Sequence, residues 1–252
     1  VGSEMCIRDR LIYRIDCIAG IFSQLVVQAV SLIFIFIVFQ NTENIVGWSF
    51  EQILLLYGVT RISIGISGYC FDELFDIGPR YIRSGEFDKI LLRPVHPLIS
   101  IIGASREFVS IADFFIGLGI TMYMLYRLAI PITILLIIKI IFFSIVGALI
   151  IGAINTIFSI SSFWTYRSNE VIWSFYRMYT FAEYPLDIYN GFIKILITVI
   201  LPFAFVAYYP TMDYLGLNNY MIYLSPIIAI ILWIIAIKLW NLALNKYRST
   251  GT

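Results

Sequence analysis

The sequence is poor in the groups from which soluble proteins are built. Only 13% of its 252 residues are charged, against about 25% in a typical soluble domain. Hydrophobic residues make up 60%, and the mean hydropathy is +0.90. A soluble globular chain is thereby excluded, and an integral membrane protein is left. The net charge of +1 says nothing about partners, because in a membrane protein charges are sorted by side rather than summed. Basic runs of the kind that grip nucleic acid are missing, so no nucleic-acid partner is expected. The one histidine, His96, lies between Pro94 and Pro97 and cannot build a metal site alone. The three cysteines, Cys6, Cys17 and Cys70, are odd in number and lack C-x-x-C spacing, so neither a disulfide frame nor a zinc site follows. No G-x-x-x-x-G-K-[ST] phosphate loop is present. A membrane-embedded lipid-modifying enzyme would need an activated nucleophile, paired carboxylates or metal ligands near the interface. The sequence offers no such set, so no catalytic residue and no cofactor are expected.

What is present is a series of apolar runs. A spanning helix needs about 20 apolar residues. The runs place six spans at about 18–39, 53–69, 108–126, 131–163, 192–208 and 220–240. The fold class is all-α: a polytopic membrane protein of six transmembrane helices. Residues 1–10, VGSEMCIRDR, differ in texture from the rest and read as a non-native leader, so a single domain of 11–252 is expected. In the first span Gln24 and Gln28 are four apart and share a face, which is expected to turn toward other helices because unpaired amides are costly in hydrocarbon. The second span is rich in small residues (Gly58, Ser63, Gly65, Ser67 and Gly68) that let helix backbones approach closely. Residues 164–191 are aromatic, mildly charged and broken by Pro185, and read as interfacial. Pro202 falls inside the fifth span and is a candidate hinge.

Between the second and third spans lies the long polar interruption 71–102. Apolar triplets at helical spacing (Phe71, Leu74, Phe75, then Phe87, Ile90, Leu91) alternate with charges, while Pro79, Pro94 and Pro97 cut the stretch into pieces. The pattern predicts short amphipathic helices at the membrane surface or against a partner. Orientation follows from lysine and arginine. With the N-terminus inside, the inner segments hold Arg14, Arg80, Arg83, Lys89, Arg93, Arg106, Arg167, Arg177, Lys246 and Arg248, and the outer loops only Arg127. Both termini and the amphipathic insert are therefore expected in the cytoplasm, in a cell (inner or plasma) membrane.

Three segments carry a resemblance. GEFDKILLRPVHPL (85–98) follows the pattern G-x-F-D-x-x-L-L-x-P-x-x-P-L. FAEYPLDIYNGFIKILITVILPFAFVAYYP (181–210) holds the YP-x-x-IY and LPFAF-x-x-YYP elements. ALNKYRSTG (243–251) ends in Y-x-S-x-G. Together, in order and on this topology, they resemble the permease subunits of ABC-2 type transporters, in the branch related to drug and lipid exporters. The departure is a shorter cytoplasmic lead at the N-terminus. The resemblance implies a transport subunit without its own enzymatic activity, working in export. It also implies a separate ABC ATPase as partner and a second permease subunit, identical or sister, beside it in the bilayer. The insert would then be the ATPase-coupling element. Phe87, Ile90 and Leu91 would fill a pocket on the partner. Arg83, Glu86, Asp88, Lys89 and Arg93 would steer and set register, and Pro94 would stiffen the link to the third span. A non-catalytic membrane scaffold or assembly subunit would share the same composition and topology.

Two cations fall deep within spans. Arg61 and Lys139 each lie roughly 12 Å from the outer end of their helices, at about 1.5 Å per residue, with no carboxylate in the spans at that level. As unpaired intramembrane charges they are candidates for a substrate path that attracts an anionic group. Snorkelling to the interface is the competing reading.

Overall fold

The computed structural model describes residues 2–105, 107–164, 170, 173–174, 177–217 and 220–247, with side chains from residue 17 onward. Helices and turns account for the described residues, apart from one isolated bridge between Ile45 and Trp48. Helix α1 is Gly2–Gln40 and α2 is Phe50–Phe71. The start of α2 is set by a capping box: the Ser49 hydroxyl accepts from the Gln52 amide, and the Gln52 side chain accepts from the Ser49 amide at 3.0 Å. Beyond Phe71 the helix tightens into a 3₁₀ turn, Asp72–Asp76, and then widens into a π-turn, Ile77–Ile82. Gly85, at φ 73°, makes the left-handed corner that releases α3, Glu86–Leu91. Helix α4, Pro97–Ile102, has proline at its first position, where the missing N–H is harmless. Helices α5, Ser110–Arg127, and α6, Ile134–Ser159, follow, α6 running on through a 3₁₀ turn to Phe163.

Helices α2 and α5 are antiparallel and nearly touch at their backbones. A Cβ placed on Gly65 would come 2.5 Å from the Phe114 amide nitrogen, and one on Gly117 would come 2.7 Å from that of Ile62. The small residues of the second span thus make the close seam expected of them.

Four helices are long and apolar enough to cross a membrane: Cys17–Gln40, Phe50–Ile82, Ile134–Phe163 and Tyr220–Leu244. Counting the bent pair Gly191–Ile200 and Phe203–Tyr214 as one span makes five among the described residues, short of the six expected. The expected third span, 108–126, does form a helix, α5. Asp113, Arg127 and three tyrosine or serine positions dilute its apolarity, and it stands outside that set.

The expected fifth span, 192–208, is not one straight helix. It is two arms bent by 71° at Leu201–Pro202. The first arm is α7, Gly191–Ile195, continued by a π-turn to Ile200. The second is a 3₁₀ turn, Phe203–Phe205, leading into α8, Tyr208–Tyr214. Both arms are tied to the same end of the bundle. Asp187 accepts hydrogen bonds from Trp48 Nε1 at 3.2 Å, Tyr208 Oη at 2.8 Å and Lys194 Nζ at 3.1 Å. Asp213, at the end of α8, pairs with Lys139 near the start of α6 at 2.7 Å. The bend itself reaches inward, where Phe203 packs edge-on against Tyr179 at 5.3 Å. The two arms thus make one bent pair, a broken span or a re-entrant loop, whose outer residues meet at one end of the bundle.

Residues 178–188, expected at the interface, instead climb alongside α2. Tyr179 donates to Asn155 near the inner end of α6, the Ala182 carbonyl accepts from Thr60 at 3.0 Å, and Asp187 reaches Trp48 ahead of α2. This 3₁₀ and extended segment packs through the interior of the bundle, although its sequence reads as interfacial. Helix α9, Ser225–Leu244, then runs back down. At its lower end a second core forms: Phe87, fully buried, stacks edge-on with Phe163 (5.4 Å) and Tyr247 (5.0 Å), and Phe163 with Trp240 (5.3 Å).

Candidate functional site

The most polar part of the interior is built around Arg61, on the middle of α2. Its Nη2 lies 2.6 Å from Glu183 Oε1, and its Nη1 lies 3.5 Å from Asp113 Oδ1. Its guanidinium carbon stands 4.8 Å from the centre of the Tyr57 ring, one turn earlier on the same helix. All three charged residues are buried: Arg61 is 7% exposed, Asp113 4% and Glu183 5%. Helix α1 closes the site. Gln24 Nε2 donates to both Asp113 oxygens at 2.9 and 2.7 Å, Gln28 donates to Asp113 through its amide nitrogen, and its amide oxygen accepts from Tyr57. The i, i+4 glutamines therefore do turn inward. Beneath the cluster a cavity of about 30 Å³ is lined by Ser67, Asp72, Asp113, Asn155 and Tyr179, with room for a water or two. The buried Ser67 hydroxyl has no protein partner among the described residues.

This geometry corrects the expectation of two unpaired cations. Arg61 sits level with Gly117, whose added Cβ would meet the Arg61 Cβ at 2.9 Å. Its long side chain covers the one turn of α5 that separates it from Asp113. Glu183 arrives from the ascending segment, 122 residues away. Lys139 is paired as well, with Asp213, and half-buried. The Arg61 and Lys139 pairs are separate groupings that the described contacts do not join. Glu183 and Asp213 are the partners that sequence reasoning missed. Glu183 lies in an aromatic stretch without helical periodicity, and Asp213 in a segment read as a loop.

The insert 71–102 is folded onto the lower end of the bundle. Phe87 and Ile90, expected to project into a partner, are instead 0% and 5% exposed and lie within this chain's second core. A helix this short cannot bury an apolar face without a neighbour, and Phe163, Trp240 and Tyr247 supply it. Leu91 is exposed, as are Arg83, Glu86, Lys89, Arg93 and Pro94. Asp88 accepts from the Tyr247 hydroxyl at 3.1 Å, tying α3 to the residues after α9. Burial in first place, and the Asp88 carboxylate in second, push the Tyr247 phenol up to about 12. His96 Nε2 lies 3.0 Å from Asn241 Oδ1 and holds the turn before α4 to the same helix.

A family model described as ABC-2 family transporter protein matches residues 25–251. The chain belongs to that family. ABC-2 chains are membrane subunits of transport systems, generally without catalysis of their own, and this one is a multi-pass membrane protein with several apolar spanning helices. No curated protein and no solved structure matches the chain. In this ABC-2 chain the resembling segments fall on three structural features: the corner and anchor of α3, the ascending segment with the bent pair, and the close of α9.

Proposed function

We propose that this chain is the transmembrane permease subunit of an ABC-2 type exporter, driven by a separate ABC ATPase that docks on 71–102. The family match over residues 25–251 carries this reading. In it the chain crosses the cell membrane six times, by α1, α2, α5, α6, the ascending segment 178–188 and α9, with both termini and the insert in the cytoplasm. The lysine and arginine asymmetry supports that orientation, and a second permease subunit completes the complex. The coupling surface is the exposed side of α3 and the turn after it: Arg83, Glu86, Lys89, Leu91, Arg93 and Pro94. Phe87, Asp88 and Ile90 act behind it, as the anchor that passes force inward. Displacement of α3 pushes on Phe163 at the end of α6 and on Trp240 and Tyr247 at the end of α9, so ATPase closure moves these helices as rigid bodies. Arg61 belongs to the substrate path through its pairing. If α2 slides against the ascending segment, Arg61 must leave Glu183 while Asp113 still holds it, exposing a carboxylate and half of a guanidinium to the path. Lys139 with Asp213 latches the bent pair, and Pro202 is its hinge.

The test is purification in mild detergent with subunit composition and vanadate-sensitive ATP hydrolysis read together. The wild type is expected to bring down an ATPase. Leu91→Asp combined with Arg93→Glu, both exposed, is expected to lose it without lowering the thermal midpoint of the permease. Wild-type recovery of the ATPase by that variant overturns the coupling surface, and an ATPase-free wild type overturns the permease reading.

A further inference from the structure

A cavity of about 260 Å³ opens between the π-turn, α3 and α4 at the lower end of the bundle. Its volume is below that of pockets that enclose drug-sized ligands, about 300–1,000 Å³, and suits a single small head group. Its lining holds three cations, Arg80, Lys89 and Arg93, one carboxylate, Glu86, and also Ser100 and Ala104.

Two features make this more than a solvated patch. Arg80 is fixed in place: its Nη1 lies 2.6 Å from Glu73 Oε1, which also accepts from the Tyr81 hydroxyl at 2.6 Å, and its guanidinium carbon is 5.6 Å from the Tyr81 ring centre. Lys89 and Arg93 form no ion pair among the described residues. Lys89, in α3, and Arg93, in the turn that follows it, nevertheless line one cavity, so an anion between them offsets their like-charge repulsion. Nearby in sequence, Leu92 is 87% exposed, Val95 48% and Ile99 62%, so exposed aliphatic side chains and cations are interspersed along this stretch of chain, the composition of a boundary between headgroups and hydrocarbon.

We propose that this cavity binds a phosphate group, held by the Lys89 ammonium and the Arg93 guanidinium beside the pre-positioned Arg80, with the Ser100 hydroxyl as a further donor. The phosphate belongs either to an anionic lipid in the adjoining leaflet or to a free phosphate species. The cavity shares Glu86, Lys89 and Arg93 with the proposed coupling surface, whereas Arg80, Ser100 and Ala104 lie outside it, so a change at Ala104 probes the cavity alone.

The test uses the full chain purified in detergent. Phosphatidylglycerol and phosphatidylcholine are titrated in native mass spectrometry, and inorganic phosphate in calorimetry. The expected result is binding of at least one of phosphatidylglycerol or inorganic phosphate. That affinity should fall at least tenfold in Lys89→Gln/Arg93→Gln and in Ala104→Leu, which fills the cavity without changing charge. Selective retention of phosphatidylglycerol over phosphatidylcholine, undiminished by millimolar phosphate, assigns the site to lipid. Calorimetric binding of phosphate that displaces phosphatidylglycerol assigns it to a free phosphate species. Wild-type affinity in both variants, or no binding of either probe by the wild type, overturns the proposal. ATPase co-purification is expected to be unchanged in Ala104→Leu, so loss of the phosphate site and loss of the coupling surface are told apart.

Discussion

Arg61 is held by two carboxylates from two different elements, and what it does follows from that. Its removal leaves Asp113 and Glu183 buried without a cation, a change that costs about 3–5 kcal/mol when one member of a buried pair is deleted. Arg61→Gln is therefore expected to lower the thermal unfolding midpoint in detergent markedly. Arg61→Gln with Glu183→Gln should recover part of the loss, because only Asp113 then remains, and Asp113 keeps its two glutamine donors. A double variant no more stable than the single one would show that Glu183 is not the partner. A second expectation concerns Tyr247. A phenol ionises near 10.0 when free, but burial and Asp88 raise it here to about 12. A raised acid contributes stability that is complete below about pH 10 and disappears as pH climbs through about 12. Tyr247→Phe should remove one phenol from the late-titrating part of the tyrosinate absorbance curve, and an unchanged late fraction would contradict the Asp88 contact. At this scale the sequence was partly legible. Gln24 and Gln28 announce an inward face through their spacing. Glu183 announces nothing, because its partner is far away in the chain and its own segment has no repeating face.

The element most dependent on shape is the α2–α5 seam. Gly65 admits no side chain without moving the Phe114 backbone, whereas a Cβ on Gly119 meets nothing within 4 Å. Gly65→Ala is expected to cost about 1–3 kcal/mol, the usual range for overpacking, and Gly119→Ala close to nothing. Equal thermal midpoints for the two variants would contradict the seam. The small residues of α2 were readable as a packing stripe because glycine and serine recur along one helix. The bent pair was not. Its arms are two short apolar runs whose summed length matches one span, and only the 71° bend at Leu201–Pro202 separates a dip from a crossing. Pro202 alone signals a kink without fixing its angle. The insert shows the same limit: the Phe87, Ile90 and Leu91 triplet correctly marks an amphipathic helix, but periodicity cannot say whether its apolar face meets another protein or the end of α9.

For the whole molecule, the path of the chain decides which loops share a side. If 191–214 dips and returns, single cysteines at Asn190 and Leu217, in a chain freed of its native cysteines, should react with an impermeant maleimide from the same side of sealed vesicles. A crossing span would place them on opposite sides. Lys89→Cys should react only from the other face, with the C-terminal residues. The broad architecture, apolar helices around a charged insert, was legible from composition and hydropathy. The burial of 178–188 against α2 was not, since nothing in hydropathy marks a 3₁₀ segment with Glu183 and Asp187 as part of the interior.

The charged cluster around Arg61 has an uneven count: one cation faces two carboxylates, so with both ionised it carries a formal charge of −1. An uneven cluster behaves as an electrical element. Moving one elementary charge across a membrane potential is worth about 2.3 kcal/mol per 100 mV, and a displacement over part of the thickness is worth the matching fraction. Any motion that carries the Arg61 guanidinium with α2, while Glu183 stays with its own segment, therefore shifts charge in the field. The conformational balance of the bundle then becomes sensitive to the voltage across the membrane.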